Sequence, residues 1–290
     1  MPAPEDVATF DGRGASRPGP ATGRLVRRHR LGTRIWHWTN AIAVFVLLMS
    51  GLMIFNAHPR LYWGQYGANA DSAWLTIGSN ESQGFVTIGS RQMATTGVLG
   101  RWRDGDGNIQ RRAFPGWATI PSHYSLSSAR RWHLAFAWVL ALSLIAYVGA
   151  SLINGHVRRD LAPKRGELRP RHIWRDIVDH ARLHFPTGEA ALRYNILQKL
   201  AYVGILFGVL PLLVLTGLTM SPRIDAAWPW LLDLFAGRQS ARSIHFICAM
   251  LVAVFILVHL VMVVLAGPLN EIRSMITGWF RIRPDPGDST

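Results

Sequence analysis

Four stretches of this chain, residues 35–59, 132–157, 200–222 and 243–270, contain no Lys, Arg, Asp or Glu. Each is longer than the about 20 apolar residues that a hydrocarbon core requires. Lipid offers no water to the backbone, so each stretch is expected to be a helix that satisfies its own N–H and C=O groups. The charge missing from these windows lies between them. There are 31 Lys and Arg against 17 Asp and Glu, a net charge of +14, in a chain that is still 49% hydrophobic. That combination describes apolar spans joined by basic loops and not a single water-soluble core. Basic chains also bind nucleic acid, but these arginines flank uncharged windows and form no stripe with interleaved aromatics, so no nucleic-acid partner is expected. The expected fold is all-α: an integral-membrane four-helix bundle with membrane lipid around it.

The distribution of basic residues sets the orientation. Arg24, Arg27, Arg28, Arg30 and Arg34 crowd the entrance to the first window. Between the second and third lie Arg158, Arg159, Lys164, Arg165, Arg169, Arg171, Arg175, Arg182, Arg193 and Lys199. Positive charge stays on the cytoplasmic side, which puts both segments and both termini inside and the 57–131 connection outside. Residues 1–23, rich in Pro, Gly and Ala with no apolar core, are expected to be a disordered tail and not a signal peptide. The membrane domain is then 24–280, with a basic cytoplasmic connection at 158–193 and a tail at 281–290.

The helices are expected at 35–55, 132–154, 194–220 and 243–265. Pro211 should kink the third, and Gly267-Pro268 should end the fourth. The outer connection mixes glycines with Trp63, Trp74, Trp102 and Trp117, which reads as turns with either an interfacial cap or a docking surface. In the cytoplasmic connection, Ile173, Ile177, His180, Leu183 and His184 recur at helical spacing, as in a short amphipathic helix lying on the membrane surface.

Ionisable side chains are rare at membrane depth, and those present are functional candidates. His37 opens the first helix, His133 opens the second, and His245 and His259 share the fourth. The last two are 14 residues apart, close to four turns, so both imidazoles face the same way about 21 Å apart along the axis. The second helix enters from outside and the first from inside. Topology therefore pairs His133 with His245 near the outer face and His37 with His259 near the inner face. Two nitrogens per site suit the axial positions of a haem iron and fall short of the three or four ligands usual for zinc. Gly51, Gly149, Gly204, Gly208 and Gly217 would leave room for flat rings or for close helix packing. With Cys248 as the single cysteine there is no CxxCH attachment site and no cysteine-ligated cluster, so two non-covalent b haems are expected. Cys248 itself reads as a packed apolar residue.

The segments RLGTRIWHWTNAIAVFVLLMSGL, RRWHLAFAW, RYNILQKLAYVG and the last helix followed by EIRSMITGW resemble the cytochrome b subunits of nickel-iron hydrogenases, respiratory formate dehydrogenases and thiosulfate-reductase-type complexes, a set of cytochrome b561-like bacterial membrane proteins. The resemblance covers the four helices. It omits the residues before Arg24 and most of the outer connection. It implies an inner-membrane di-haem cytochrome b that exchanges electrons between the quinone pool and a periplasmic-side redox subunit, a molybdopterin oxidoreductase or a hydrogenase. The four histidines match the family's haem ligands in the pairing that topology gives.

The resemblance also implies a quinone site near the inner haem at the start of the third helix, matching Asn195, Gln198 and Lys199. Polar amides there would hydrogen-bond a quinone carbonyl, or else only cap the helix. His29, His156, His172, His180 and His184 read as headgroup-facing. His58 and His123 read as solvated or close to a haem propionate. The outer loop is longer than in simple members and would seat the partner. Two other functions fit the same helices: a self-contained quinol oxidase of small acceptors, and a haem-free scaffold or transporter.

Overall fold

A computed structural model of the chain describes residues 24–155, 157, 162–164, 166–182 and 195–282, with the backbone alone at 180–181. The expectations for the 1–23 tail and for His156, Arg158, Arg159, Arg165, Leu183, His184, Arg193, Tyr194 and Arg283 fall outside the described residues. Strand β1 (Leu25–Arg27) leads into helix α1 (Leu31–Phe55). The connection to the second long helix then holds β2 (Arg60–Leu61), β3 (Leu75–Ser79), β4 (Gly84–Ile88), β5 (Arg91–Ala94), β6 (Trp102–Arg103) and β7 (Ile109–Gln110) before α2 (Leu126–Ile153). Helix α3 (Pro170–Ala181) precedes the third long helix, which runs as α4 (Ile196–Gly204), a π-helical turn (Ile205–Val209) and α5 (Leu210–Thr219). Short helices α6 (Pro222–Ala227) and α7 (Pro229–Asp233) lead to α8 (Arg238–Ala266), α9 (Pro268–Thr277) and β8 (Trp279–Arg281).

Four of these helices are long and apolar enough to cross a membrane: Leu31–Phe55, Leu126–Ile153, Ile196–Thr219 and Arg238–Ala266. They expose Ile42, Leu142, Ile145, Leu257, Val261 and Val264, the outward apolar face of a lipid-embedded protein. All four begin earlier than the charge-free windows, because charged first turns extend beyond the apolar part. Helix α2 starts at Leu126 because the Ser125 hydroxyl accepts from the Ser128 N–H at 3.4 Å, an N-cap. Just before Pro211, where a kink is expected, the helix has a π-helical turn. Proline has no N–H for the preceding turn, and a local change of hydrogen-bond register absorbs the loss. Gly267, at φ +107°, ends α8, and Pro268 starts the next helix.

The described chain divides into two compact units. One comprises Thr39–Asn154 and Val203–Phe255. Its connection between α1 and α2 is folded and not merely a run of turns: β2, β3, β4 and β5 form an antiparallel sheet in that order, and β6 pairs with β7. Leu75, Ile77 and Val86 alternate inward and bury with Phe55, Leu61 and Ala113, while Phe246 stacks on Phe55 at 4.7 Å. The tryptophans divide between roles. Trp74 donates to Ser243 Oγ at 2.9 Å and Trp102 to the Arg112 carbonyl at 3.1 Å, whereas Trp117 and Trp63 are exposed.

The α1–α2 connection also closes the start of α8. The Gly64 carbonyl accepts from the Gln239 and Ser240 N–H groups at 3.1 and 3.2 Å. Ser240 Oγ accepts from Gly64 N–H at 2.7 Å, and Ser243 Oγ donates to the Tyr62 carbonyl at 2.6 Å. Arg242 donates to the carbonyls of His58 and Arg60. The first-turn N–H groups that a helix leaves unpaired are thus met by protein atoms. The approach requires glycine at 237, where φ is +113° and a Cβ would lie 2.7 Å from Gln65 Cα.

The other unit comprises Met1–Trp38, Gly155–Tyr202 and Ile256–Thr290, in its described parts. Here β1 pairs antiparallel with β8, Val26 opposite Phe280. Arg28 bonds Glu271 at 3.1 Å and lies 4.6 Å over the Phe280 ring. Arg34 donates to the Met275 and Ile276 carbonyls, and Trp38 Nε1 to Met275 at 3.1 Å. Gly278, at φ +86°, lets the chain turn where a Cβ would meet the His29 carbonyl at 2.9 Å. The amphipathic helix expected in the basic connection is α3, with Trp174 and Ile177 exposed.

Candidate functional site

In the unit holding the α1–α2 connection, α2 carries His133 and α8 carries His245. Their ring centres are 6.2 Å apart with planes inclined at 60°. In the other unit, His37 of α1 and His259 of α8 have ring centres 6.4 Å apart, inclined at 52°. A metal between two imidazoles lies about 2 Å from each nitrogen, with each ring centre about 1 Å further back, so the centres fall about 6 Å apart. Both gaps therefore fit one metal ion shared by two rings. Among the described residues no group of three or more His, Cys, Asp or Glu converges as a metal site. Two imidazole nitrogens are a donor set that a b-type haem iron would take, so each pair is a candidate to hold one.

The His133–His245 pair is held by hydroxyls. Ser50 Oγ lies 3.1 Å from His133 Nδ1 and donates its own proton to the Val46 carbonyl at 2.6 Å. Thr216 Oγ1 lies 3.1 Å from His245 Nδ1 and donates to the Leu212 carbonyl at 2.7 Å. The Leu213 carbonyl also lies 3.1 Å from His245 Nδ1. Each hydroxyl has spent its only proton, so each must accept from Nδ1–H. That places the ring proton on Nδ1 and leaves the lone pair on Nε2 for a metal. Ser50 and Thr216 are fully buried. At the other pair, His37 Nδ1 is buried and has no hydrogen-bond partner.

A glycine follows each hydroxyl residue. A Cβ at Gly51 would lie 3.3 Å from His133 Cε1, and one at Gly217 would lie 3.4 Å from His245 Cε1. At Gly149, Gly204 and Gly208 a Cβ would meet nothing within 4 Å. The sequence reading found the glycines and missed the hydroxyls. The signal for them was the repeated Ser-Gly and Thr-Gly dipeptide on two different spans.

At the start of the third span, Asn195 and Gln198 form a reciprocal cap. Asn195 Oδ1 accepts from the Gln198 N–H at 2.8 Å, and Gln198 Oε1 accepts from the Asn195 N–H at 3.3 Å. Lys199 is buried and donates to both oxygens of Glu167, at 2.8 and 2.9 Å. Asp176 of α3 accepts from the Ile196 N–H at 3.3 Å. Glu167 was also missed. It is an acid in a strongly basic connection, and such a residue needs a nearby cation. Burial pushes its carboxyl up, but the hydrogen bond from Lys199 helps outweigh that and holds it below its usual range.

Residues 28–278 match the model of the prokaryotic cytochrome b561 proteins. The chain belongs to the prokaryotic cytochrome b561 family. It is therefore a membrane haem b protein of electron transfer. Among relatives of this b561 chain, one from Azospira oryzae is named as the protein-methionine-sulfoxide reductase subunit YedZ1. It is 25% identical over 232 residues, covering 80% of this chain and 87% of that one. Another, named as the cytochrome YdhU of Escherichia coli, is 25% identical over 280 residues, covering 94% and 82%. No solved structure matches.

The b561 chain's other described histidines lie elsewhere. His123 and His172 are exposed. His58 stacks on Tyr62 at 5.8 Å, and its buried Nε2 has no hydrogen-bond partner. Burial, then the charges of Arg242 and Arg60, keeps its pKa low. His29 is held at about 4, chiefly by burial, then by Arg28, His37 and Arg34. Cys248 is buried in α8 as a packed residue.

Proposed function

We propose that this b561-family protein holds two b haems, one between His133 and His245 and one between His37 and His259. It would exchange electrons between the quinone pool and a redox subunit docked on the outer segment. The observation that carries this reading is the pair of imidazole gaps, 6.2 and 6.4 Å between ring centres, each matched to a single shared iron. Haem b supplies a reversible one-electron carrier at each pair. The protein's residues orient the imidazoles, exclude water with apolar spans, and keep the ring protons on the nitrogen away from the metal at the Ser50 and Thr216 side.

Quinone would bind at the start of the third span, beside Asn195, Gln198 and Lys199. Their amide and ammonium groups offer donors for a carbonyl oxygen. The folded outer sheet gives a partner a shaped surface, and the relative named as a reductase subunit supports a catalytic partner. The basic segments support an inner-membrane orientation with both ends in the cytoplasm and the sheet outside.

The deciding experiment is a reduced-minus-oxidised spectrum with haem quantification on membrane-extracted protein. Two b haems per chain in wild type, and one in the His259→Ala variant, are expected. A well-folded wild-type protein with no haem overturns the reading.

A further inference from the structure

The imidazoles are not all held alike at Nδ1. At His133 and His245 every Nδ1–H has an oxygen to donate to. On each side that oxygen includes a fully buried hydroxyl whose proton is committed to the carbonyl four residues earlier. At the other pair, His37 Nδ1 has no such partner. A hydrogen bond donated from Nδ1 pushes electron density toward Nε2 and makes the ring a stronger donor to iron. A stronger donor favours the ferric over the ferrous state, which lowers the reduction potential.

We propose that Ser50 and Thr216 are positioning residues that fix the Nδ1–H tautomer of His133 and His245 and hold down the reduction potential of the haem between them. The proposal rests on that pair being a haem site. The geometry supports a dedicated role. The two hydroxyls come from different spans, α1 and α5, yet make the same bonds: one donated to the carbonyl at i−4, one accepted from an imidazole. Each is followed by the glycine against which the ring edge rests, so the same dipeptide supplies both the acceptor and the clearance. A buried hydroxyl serving only helix packing would make its carbonyl bond alone. Threonine and serine perform the same task at the two sites, so the shared part is the hydroxyl.

The test is a redox titration of purified protein, followed at the haem absorbance, with haem content measured in each variant. Ser50→Ala and Thr216→Val remove the acceptor with little change of volume. The exchanges Ser50→Thr and Thr216→Ser keep it. The expected result is an upward shift of one of the two midpoints in Ser50→Ala and in Thr216→Val, an unmoved second midpoint, and wild-type values in the exchanges. His133→Ala should delete the component that shifts.

Unchanged midpoints in Ser50→Ala and Thr216→Val at full haem content overturn the proposal. So does loss of haem in the exchanges as well, which marks the sites as packing alone. Loss of one haem in both hydroxyl-free variants with retention in the exchanges supports it, since the ring is then no longer held. If His133→Ala retains both haems, the assignment of the pair fails, and that outcome is distinguishable from failure of the hydroxyl role.

Discussion

At Gly51 the added carbon of an alanine would sit 3.3 Å from His133 Cε1, closer than most side-chain contacts allow, and a branched side chain would displace the ring. Gly51→Val is therefore expected to reduce haem content toward one per chain. Gly149→Val, at a glycine with open space around it, should leave the content unchanged. Haem extraction assays on both variants check this. The histidines themselves were legible from sequence because a titratable residue at membrane depth stands out and because helix polarity alone pairs them. Ser50 and Thr216 were not legible. A serine or threonine inside a span ordinarily bonds its own helix at i−4, and only the folded packing shows that the same oxygen also meets a ring on another helix. Asn195 and Gln198 were legible as a polar pair, but their reciprocal capping depends on backbone geometry. The partner of Lys199, Glu167, lies 32 residues earlier in the chain.

At the scale of elements, the β1–β8 pairing with its Arg28–Glu271 bond fastens α9 to the start of α1. The two charged side chains are 15% and 23% exposed, so Arg28→Ala should lower thermal stability in detergent by about 1 kcal/mol, more than for a fully exposed pair. His29 adds a pH dependence. Its folded pKa, near 4, lies below the ordinary 6.5, so the unfolded chain binds more protons between those values. This contribution is intact above about pH 6.5 and is lost as pH falls toward 4. Melting temperature against pH should decline over that interval, and the decline should shrink in His29→Gln. Neither strand was anticipated, because three-residue pairings carry no usable periodicity. The four-stranded sheet was missed for the same reason: strands of two to five residues separated by glycines look like turns until alternation is read against a core that includes Phe246 of α8.

For the whole molecule, the charge-free windows set the number and order of the spans, and their extensions at the helix starts came from capping and interfacial charge. Orientation can be checked with the single cysteine as a starting point. In a Cys248→Ala background, a cysteine at Gln92 on the exposed strand β5 should react with a membrane-impermeant maleimide in right-side-out vesicles. One at Arg171 in α3 should react only in inverted vesicles, and the reverse pattern would overturn the proposed topology. The closure of α8 by the α1–α2 connection also has a consequence for synthesis. Gly64 and its partner Ser240 are 176 residues apart, so the acceptors for the last span's opening turn have left the ribosome long before that span is translated. Chains fold from the N-terminus as they emerge, so the sheet segment is expected to wait for the fourth span, whose Phe246 completes its core on arrival.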